Sequence, residues 1–246
     1  MNQSVDPHDI PWKDNDSKRL SDQAAYSNMA SDLFRQAEKR GKKPLRVLSF
    51  PGAKWLWEQA LEESFRKLKF RFTGLERDER VWRKASKMAD VLPSRFNLRP
   101  RAESFVDYSK SISTKRTRFD LIYLDWMGTW SAEKKSDIDA LLSRGCMLEV
   151  GGILMLTVSL RRGQPATIED LEDESNDLSM AFYYAPGRDK SERNLKARGI
   201  PGWVQHLAEE DYSMRLRPIM GNVFYSCEGG GSQCEPQLQL MFLREE

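Results

Sequence analysis

Residues 153–160, Ile-Leu-Met-Leu-Thr-Val-Ser-Leu, are the most apolar run in the chain. The run lacks the polar–apolar alternation of a half-exposed strand. It reads as a central strand of a parallel sheet, covered on both faces. Working upstream, Phe119 to Leu124 (Phe-Asp-Leu-Ile-Tyr-Leu), Phe70 to Leu75 and Leu45 to Phe50 are similar short apolar runs, and Leu98 to Glu103 is a weaker one. Helical spacing fills the gaps between them. Trp55 to Lys69 carries Leu56, Ala60, Leu61, Phe65 and Leu68, and Asp78 to Asp90, Val106 to Ile112 and Ala132 to Leu148 also read as helices. Strands alternating with helices predict a parallel α/β sheet with right-handed crossovers.

The downstream side differs. Gly221 to Cys227 and Gln237 to Leu243 are strand-like and flank the glycine-rich turn Glu228 to Gln233. That is the pattern of an antiparallel hairpin. Before it come an acidic stretch, Ile168 to Asp177, and a basic helical one, Arg188 to Arg198; residues 163–190 read as an insertion or lid-like loop. At the other end, residues 1–20 have no periodicity and read as a loose tail. Ser21 or Asp22 can cap a helix to about Arg40, with Ala25, Met29, Leu33 and Phe34 near one face and Gly41 as its stop. The expected organisation is a tail (1–20), an N-terminal helix (21–43) and one α/β domain (44–246).

Composition narrows the classes. A chain of 246 residues fits one or two domains. With 39% apolar and 31% charged residues it reads as globular rather than disordered. The net charge of +2 excludes a uniformly basic nucleic-acid-binding domain but not a basic face. No run approaches the roughly 18 apolar residues of a membrane span, and Met1 to Asp16 has no signal-peptide core, so a cytoplasmic location is expected. Cys146, Cys227 and Cys234 do not form a disulfide framework, and with only His8 and His206 beside them no zinc set is expected.

Strand–helix units closed by a hairpin after the fifth strand resemble the class I S-adenosylmethionine-dependent methyltransferases. The resemblance covers Pro44 onward. It implies a mostly parallel, Rossmann-like α/β sheet flanked by helices and closed by a C-terminal antiparallel β-hairpin, with S-adenosyl-L-methionine as cofactor. Four strand ends carry it. In Ser49-Phe50-Pro51-Gly52-Ala53, the resemblance puts Ser49, Pro51 and Gly52 in the first cofactor loop, where glycine lets the backbone come close. At the end of Thr73-Gly74-Leu75-Glu76 it puts Glu76 on the ribose hydroxyls, since one carboxylate accepts from both. The other reading of Glu76 is an acidic helix cap. Glu103 stands where the family accepts from the adenine amino group. Asp125, delivered by Phe119 to Leu124 to the carboxyl edge, would accept from the methyl acceptor or touch the cofactor. Trp126 would stack on a base.

The loop Asp125-Trp126-Met127-Gly128 departs from the Asp-Pro-Pro-aromatic loop of amino-methylating relatives. The cysteines fall away from the carboxyl edge, which speaks against a cysteine nucleophile and carbon methylation. Basic residues crowd the chain before Arg118, among them Arg66, Lys67, Lys69, Arg71, Arg95, Arg99 and Arg101. That asymmetry points to an anionic partner, so the expected activity is methylation of a nitrogen in RNA or DNA. The alternative is an inactive methyltransferase-like module that binds or regulates a partner. A dehydrogenase is disfavoured by the missing Gly-x-Gly-x-x-Gly. Oligomeric state stays open.

Overall fold

In the computed structural model the described residues are 16–112, 117–143, 147–160, 192–227 and 234–245. The elements run α1 (Asp16–Arg40), β1 (Leu45–Ser49), α2 (Leu56–Ser64), β2 (Phe70–Gly74), α3 (Glu79–Val91), β3 (Phe96–Leu98) and α4 (Phe105–Ser111). They continue with β4 (Phe119–Thr129), α5 (Ala132–Ser143), β5 (Leu148–Ser159), α6 (Glu192–His206), a π-helical turn (Leu207–Asp211), β6 (Leu216–Cys227) and β7 (Cys234–Arg244). Among the described residues one sheet holds every strand, in the order β3-β2-β1-β4-β5-β7-β6. The first five strands are parallel, and β7 inserts antiparallel between β5 and β6.

Each face of the sheet closes a core. Val47, Leu121, Tyr123, Ile153 and Met155 face α1, α2 and the loop before α2, where Met29, Leu33, Trp55 and Leu61 are buried. Leu48, Ile122, Leu124, Leu154 and Leu156 face α4, α5 and α6, with Tyr108, Ile138, Leu141 and Val204. Neighbouring residues of one strand thus serve opposite cores, as the pleat requires.

Several boundaries differ from expectation. The helix α1 starts at Asp16, so residues 16–20 are helical rather than tail. The insertion at 163–190, Arg161, Arg162 and Cys146 lie outside the described residues. The helix α5 ends at Ser143, and Gly151-Gly152 lie inside β5, not at a helix end. They form a bulge there: Phe119 pairs with Leu148 but Leu121 with Ile153, so the β5 side carries extra residues. Gly151 has φ +79°, and a Cβ on Gly152 would stand 2.8 Å from the Glu149 carbonyl, so both need glycine. The third strand is Phe96–Leu98, earlier than predicted, because the apolar Phe96 fills the core against Phe72 at 4.7 Å.

The amino edge of the sheet is tied to α1 by charge. Arg40 Nε donates to the fully buried Asp120 carboxylate at 2.6 Å, and the Arg46 backbone N–H donates to it at 2.6 Å. Arg40 and Arg46 also reach Glu149 at 3.4 Å. Burial pushes the Asp120 carboxyl above its ordinary value, and the Arg40 hydrogen bond opposes the shift.

Candidate functional site

Parallel α/β sheets bind ligands outside the carboxyl ends of their strands. Here that edge begins with Ser49, whose side chain is 0% exposed and whose Oγ makes no hydrogen bond. Gly52 follows at φ +57°. Trp55, predicted inside the helix, instead caps it with φ 55°, an uncommon conformation for a bulky residue. Tertiary packing explains it. The fully buried indole donates from Nε1 to the Ala85 carbonyl at 3.1 Å and meets Phe96 edge-on at 5.8 Å. It also fills the space over Gly74, where a Cβ would stand 2.4 Å from the ring. The first loop is therefore moulded by a tryptophan and one glycine of the neighbouring strand.

Past β2, the Glu76 Oε1 accepts from the Asp78 N–H at 2.9 Å. The cap of α3 is Asp78, which accepts from Arg80 N–H at 2.8 Å and Val81 N–H at 3.2 Å. The Val81 hydrogen bond, first among the causes, holds the Asp78 carboxyl below its ordinary value. Glu76 therefore braces the turn before the cap, and its carboxylate has more acceptor positions than that bond uses. Glu103 does not end a strand. The chain returns to the site by a loop, and the Glu103 N–H donates to the Glu76 carbonyl at 3.0 Å. The Glu103 Oε1 accepts from Arg99 Nε at 2.7 Å, while its buried Oε2 has no hydrogen-bond partner.

The fourth strand end is the largest departure. The strand does not stop at Asp125 but runs to Thr129 through a bulge: Asp125 pairs with Thr157 and Thr129 with Ser159, leaving extra residues on β4. Gly128, at φ +87°, makes the bulge possible. Asp125 is half-buried on the α1/α2 side, by alternation from Leu121 and Tyr123. Trp126 points the other way. Its ring is buried beside Trp130, and Nε1 donates to Asp137 Oδ2 at 2.9 Å. The expectation that Asp125 and Trp126 flank one target is therefore corrected: the pleat separates them, and Trp126 is spent on the core.

What sequence reasoning missed is a row of polar side chains on the same side as Asp125. Tyr123 OH and Thr157 Oγ1 lie 3.1 Å apart. Thr157 is the register partner of Gln239 in β7, and Ser21 Oγ donates to Gln239 Oε1 at 2.5 Å. The Gln239 Nε2 donates to Asp22 Oδ1 at 3.2 Å. Trp57 stacks at a tilt on Tyr123 with centroids 4.3 Å apart, and buried Glu58 follows it on α2. The available signal was a polar residue interrupting an apolar strand, Thr157 in 153–160 and Gln239 in 237–243.

On the opposite side, two buried lysines converge on the end of β4. Lys134 Nζ donates to the Thr129 carbonyl at 2.5 Å, and Lys196 Nζ to Thr129 Oγ1 at 2.6 Å. Burial first, then the charge of Arg77, pushes the Lys134 ammonium down to about 8; Asp137 opposes this and Lys196 adds to it.

The reversed strand inserted beyond the fifth is the feature that the resemblance implied and that ordinary dinucleotide-binding sheets lack. The fold class is the one expected: a mostly parallel α/β sheet flanked by helices, with antiparallel strands at its C-terminal end. No protein-family model and no curated protein matches the chain. Among solved structures, it is similar to N-methyltransferase NodS from Bradyrhizobium japonicum WM9 in complex with S-adenosyl-L-homocysteine. That match has 17% identity, covers 97% of this chain and 93% of that one, and has a TM-score of 0.49. A precorrin-6y C5,15-methyltransferase from Geobacter metallireducens GS-15 is similar at 12% identity over 91% and 89% of the two chains, with a TM-score of 0.44. A methyltransferase from Pyrococcus furiosus is similar at 11% identity over 92% and 83%, with a TM-score of 0.43. No helix among the described residues is long and apolar enough to cross a membrane.

Proposed function

We propose that the chain is an S-adenosylmethionine-dependent methyltransferase, with the cofactor across the ends of β1 and β2 and the loop before α4. The observation that supports this is that a backbone hydrogen bond, Glu103 N–H to the Glu76 carbonyl, holds the two acidic residues on adjacent loops, with the buried Glu103 Oε2 left without a hydrogen bond. A buried acceptor without a donor costs free energy unless something satisfies it, and an amino or hydroxyl group would. Vicinal hydroxyls suit Glu76, an amino group suits Glu103, and Gly52 offers backbone with open space where a Cβ would be. When bound, S-adenosylmethionine supplies a methyl group already activated on a sulfonium, so the protein has to align the acceptor and exclude water. Asp125, at the same edge, would orient the acceptor's lone pair and take the departing proton.

A nucleic-acid acceptor is the finer reading of the basic excess before Arg118. Many of these cations have a carboxylate beside them: Arg66 with Glu63, Arg83 with Glu79, Arg95 with Glu62, Arg99 with Glu103 and Arg118 with Glu149. Gel-shift titration with total tRNA and with duplex DNA at 50 mM and 200 mM salt tests it; a phosphate-tracking interface should lose affinity steeply between the two. The test of the main reading is calorimetric titration of S-adenosylmethionine and S-adenosylhomocysteine. Binding is expected, weakened about tenfold or more in Glu76→Ala and Glu103→Gln by loss of charged hydrogen bonds. Binding of neither ligand would return the chain to the alternative, a methyltransferase-like module without the activity.

A further inference from the structure

The amino edge of the sheet, at the strand ends away from the candidate cofactor site, gathers arginines that outnumber the carboxylates they meet. Arg46 is the second residue of β1, Arg118 immediately precedes β4, and Arg244 ends the reversed β7. Arg215 and Arg217 flank the first residue of β6, Leu216, which pairs with Arg244. Arg40 joins them from the end of α1. These guanidiniums share their acceptors. Glu149 meets Arg40 and Arg46, and Arg118 at 3.8 Å. Glu245 meets Arg215 at 3.1 Å and Arg217 at 2.6 Å. Arg244 Nη1 donates to the Leu148 carbonyl rather than to a carboxylate. The Nε atoms of Arg118 and Arg244 are buried without a hydrogen bond. Like charges press on one another here: burial first, then the Arg40 guanidinium, pushes the Arg46 guanidinium below its ordinary value, against the pull of Asp120 and Glu149.

The outer members of this row stand in solvent. The side chains of Arg118, Arg217 and Arg215 are 39%, 47% and 69% exposed. The row follows the sheet order β1-β4-β5-β7-β6. At about 4.8 Å per strand it is roughly 19 Å long. A lone phosphate or carboxylate would meet one or two of these side chains. A row of that length suits an anion whose charges repeat along a line, and a phosphodiester chain is such an anion. A bilayer spreads its headgroups over an area instead. Arginine is the cation suited to the contact, because its planar fork donates two parallel hydrogen bonds to one phosphate.

We infer that the amino edge from β1 to β6 is a docking surface for the phosphate backbone of a nucleic acid. The strand β1 is five residues long, so this surface lies roughly 17 Å from the carboxyl edge. A nucleic acid held here is anchored away from Asp125 rather than presented to it. The inference goes beyond the proposed function and stands whether or not the chain transfers methyl groups.

The test is fluorescence anisotropy on the full chain with a labelled 20-nucleotide RNA and a labelled 20-base-pair DNA, titrated between 50 mM and 200 mM salt. At least one should bind, and lose affinity steeply as salt rises. The double variant Arg215→Gln/Arg217→Gln should weaken binding about tenfold or more at 50 mM salt. It should also lower the slope of log affinity against log salt by about two, one for each lost phosphate contact. Arg118→Gln should weaken binding on its own. Arg83→Gln, an exposed cation on α3 paired with Glu79, should stay within about twofold of the parent. Urea midpoints of all variants show that the fold is kept, and the exposed pair Arg215 and Arg217 carries the test if Arg118→Gln unfolds. Saturating S-adenosylhomocysteine should not displace the nucleic acid. Displacement would put the nucleic acid at the carboxyl edge and overturn the inference, as would unchanged binding in the double variant. Capture by phosphatidylserine vesicles without binding of either nucleic acid would make the row a membrane contact and also overturn it. None of these outcomes touches the cofactor reading, which calorimetry decides separately.

Discussion

Gly74 shows how much one residue decides. It has no side chain because the Trp55 ring and Pro51 occupy the space above it, at 2.4 Å and 2.9 Å from where a Cβ would be. Both neighbours belong to the first loop of the site, and the indole is fixed by its own hydrogen bond to Ala85. Gly74→Ala should destabilise the protein by about 1–3 kcal/mol, as overpacking does, read from the urea midpoint. If the proposed function holds, it should also weaken S-adenosylmethionine binding, because relief of the clash moves the 51–55 loop. Lys134 gives a second test. Its folded-state value is lowered from 10.5 to about 8, so between those values the unfolded chain holds more protons than the native one. Stability should therefore rise as pH climbs from 8 towards 10.5, with the cost of burying the charge fully present below 8. Urea unfolding across that range should show the rise, and Lys134→Met should flatten it.

At the scale of elements, the tie between α1 and the amino edge is the strongest electrostatic feature described. Asp120 receives both a guanidinium and a backbone N–H while fully buried. Asp120→Ala would leave Arg40 Nε and the Arg46 N–H without their acceptor, and should cost about 3–5 kcal/mol by chemical denaturation. The same scale explains what the sequence made legible. Apolar runs such as Phe119–Leu124 and 153–160 mark buried strands because burial on both faces demands uninterrupted apolar residues. Helical spacing and the Gly-rich turn placed α1, α2, α3 and the hairpin. The ends of strands were less legible. Asp125 was expected to end β4, yet the strand continues through a bulge that only Gly128 hinted at, and Trp126 turned into the core as a result. Glu103 reached the site by a loop from a strand that ended earlier. Thr157, the register partner of Asp125, and Trp57, which stacks on Tyr123, come from other segments, and no local pattern announces either meeting.

At the scale of the molecule, α1 is a strut that spans the sheet from edge to edge. Near its start Ser21 and Asp22 hold Gln239, and at its end Arg40 holds Asp120. Between them Ala25, Met29 and Leu33 are fully buried. Removing residues 1–42 would uncover Ile153, Met155, Met241 and Leu243 together, an apolar patch too large for a stable soluble surface. The truncated chain is expected to elute as aggregates on size exclusion and to lose its near-ultraviolet circular dichroism. Retention of a monomer with native dichroism would show that the α/β part stands without its strut.

The position of β7 has a bearing on how the protein is made. It lies between β5 and β6, yet it follows both in the chain. While a ribosome is still translating residues before Cys234, β5 has its apolar length assembled but one flank bare. A bare, apolar strand flank recruits strands from other chains. The polar row on the side of Asp125 is incomplete for the same interval, because Gln239 arrives within β7. Nascent chains should therefore need shielding by a chaperone until that segment leaves the exit tunnel, and any stall upstream of it should yield aggregates rather than a partly folded protein.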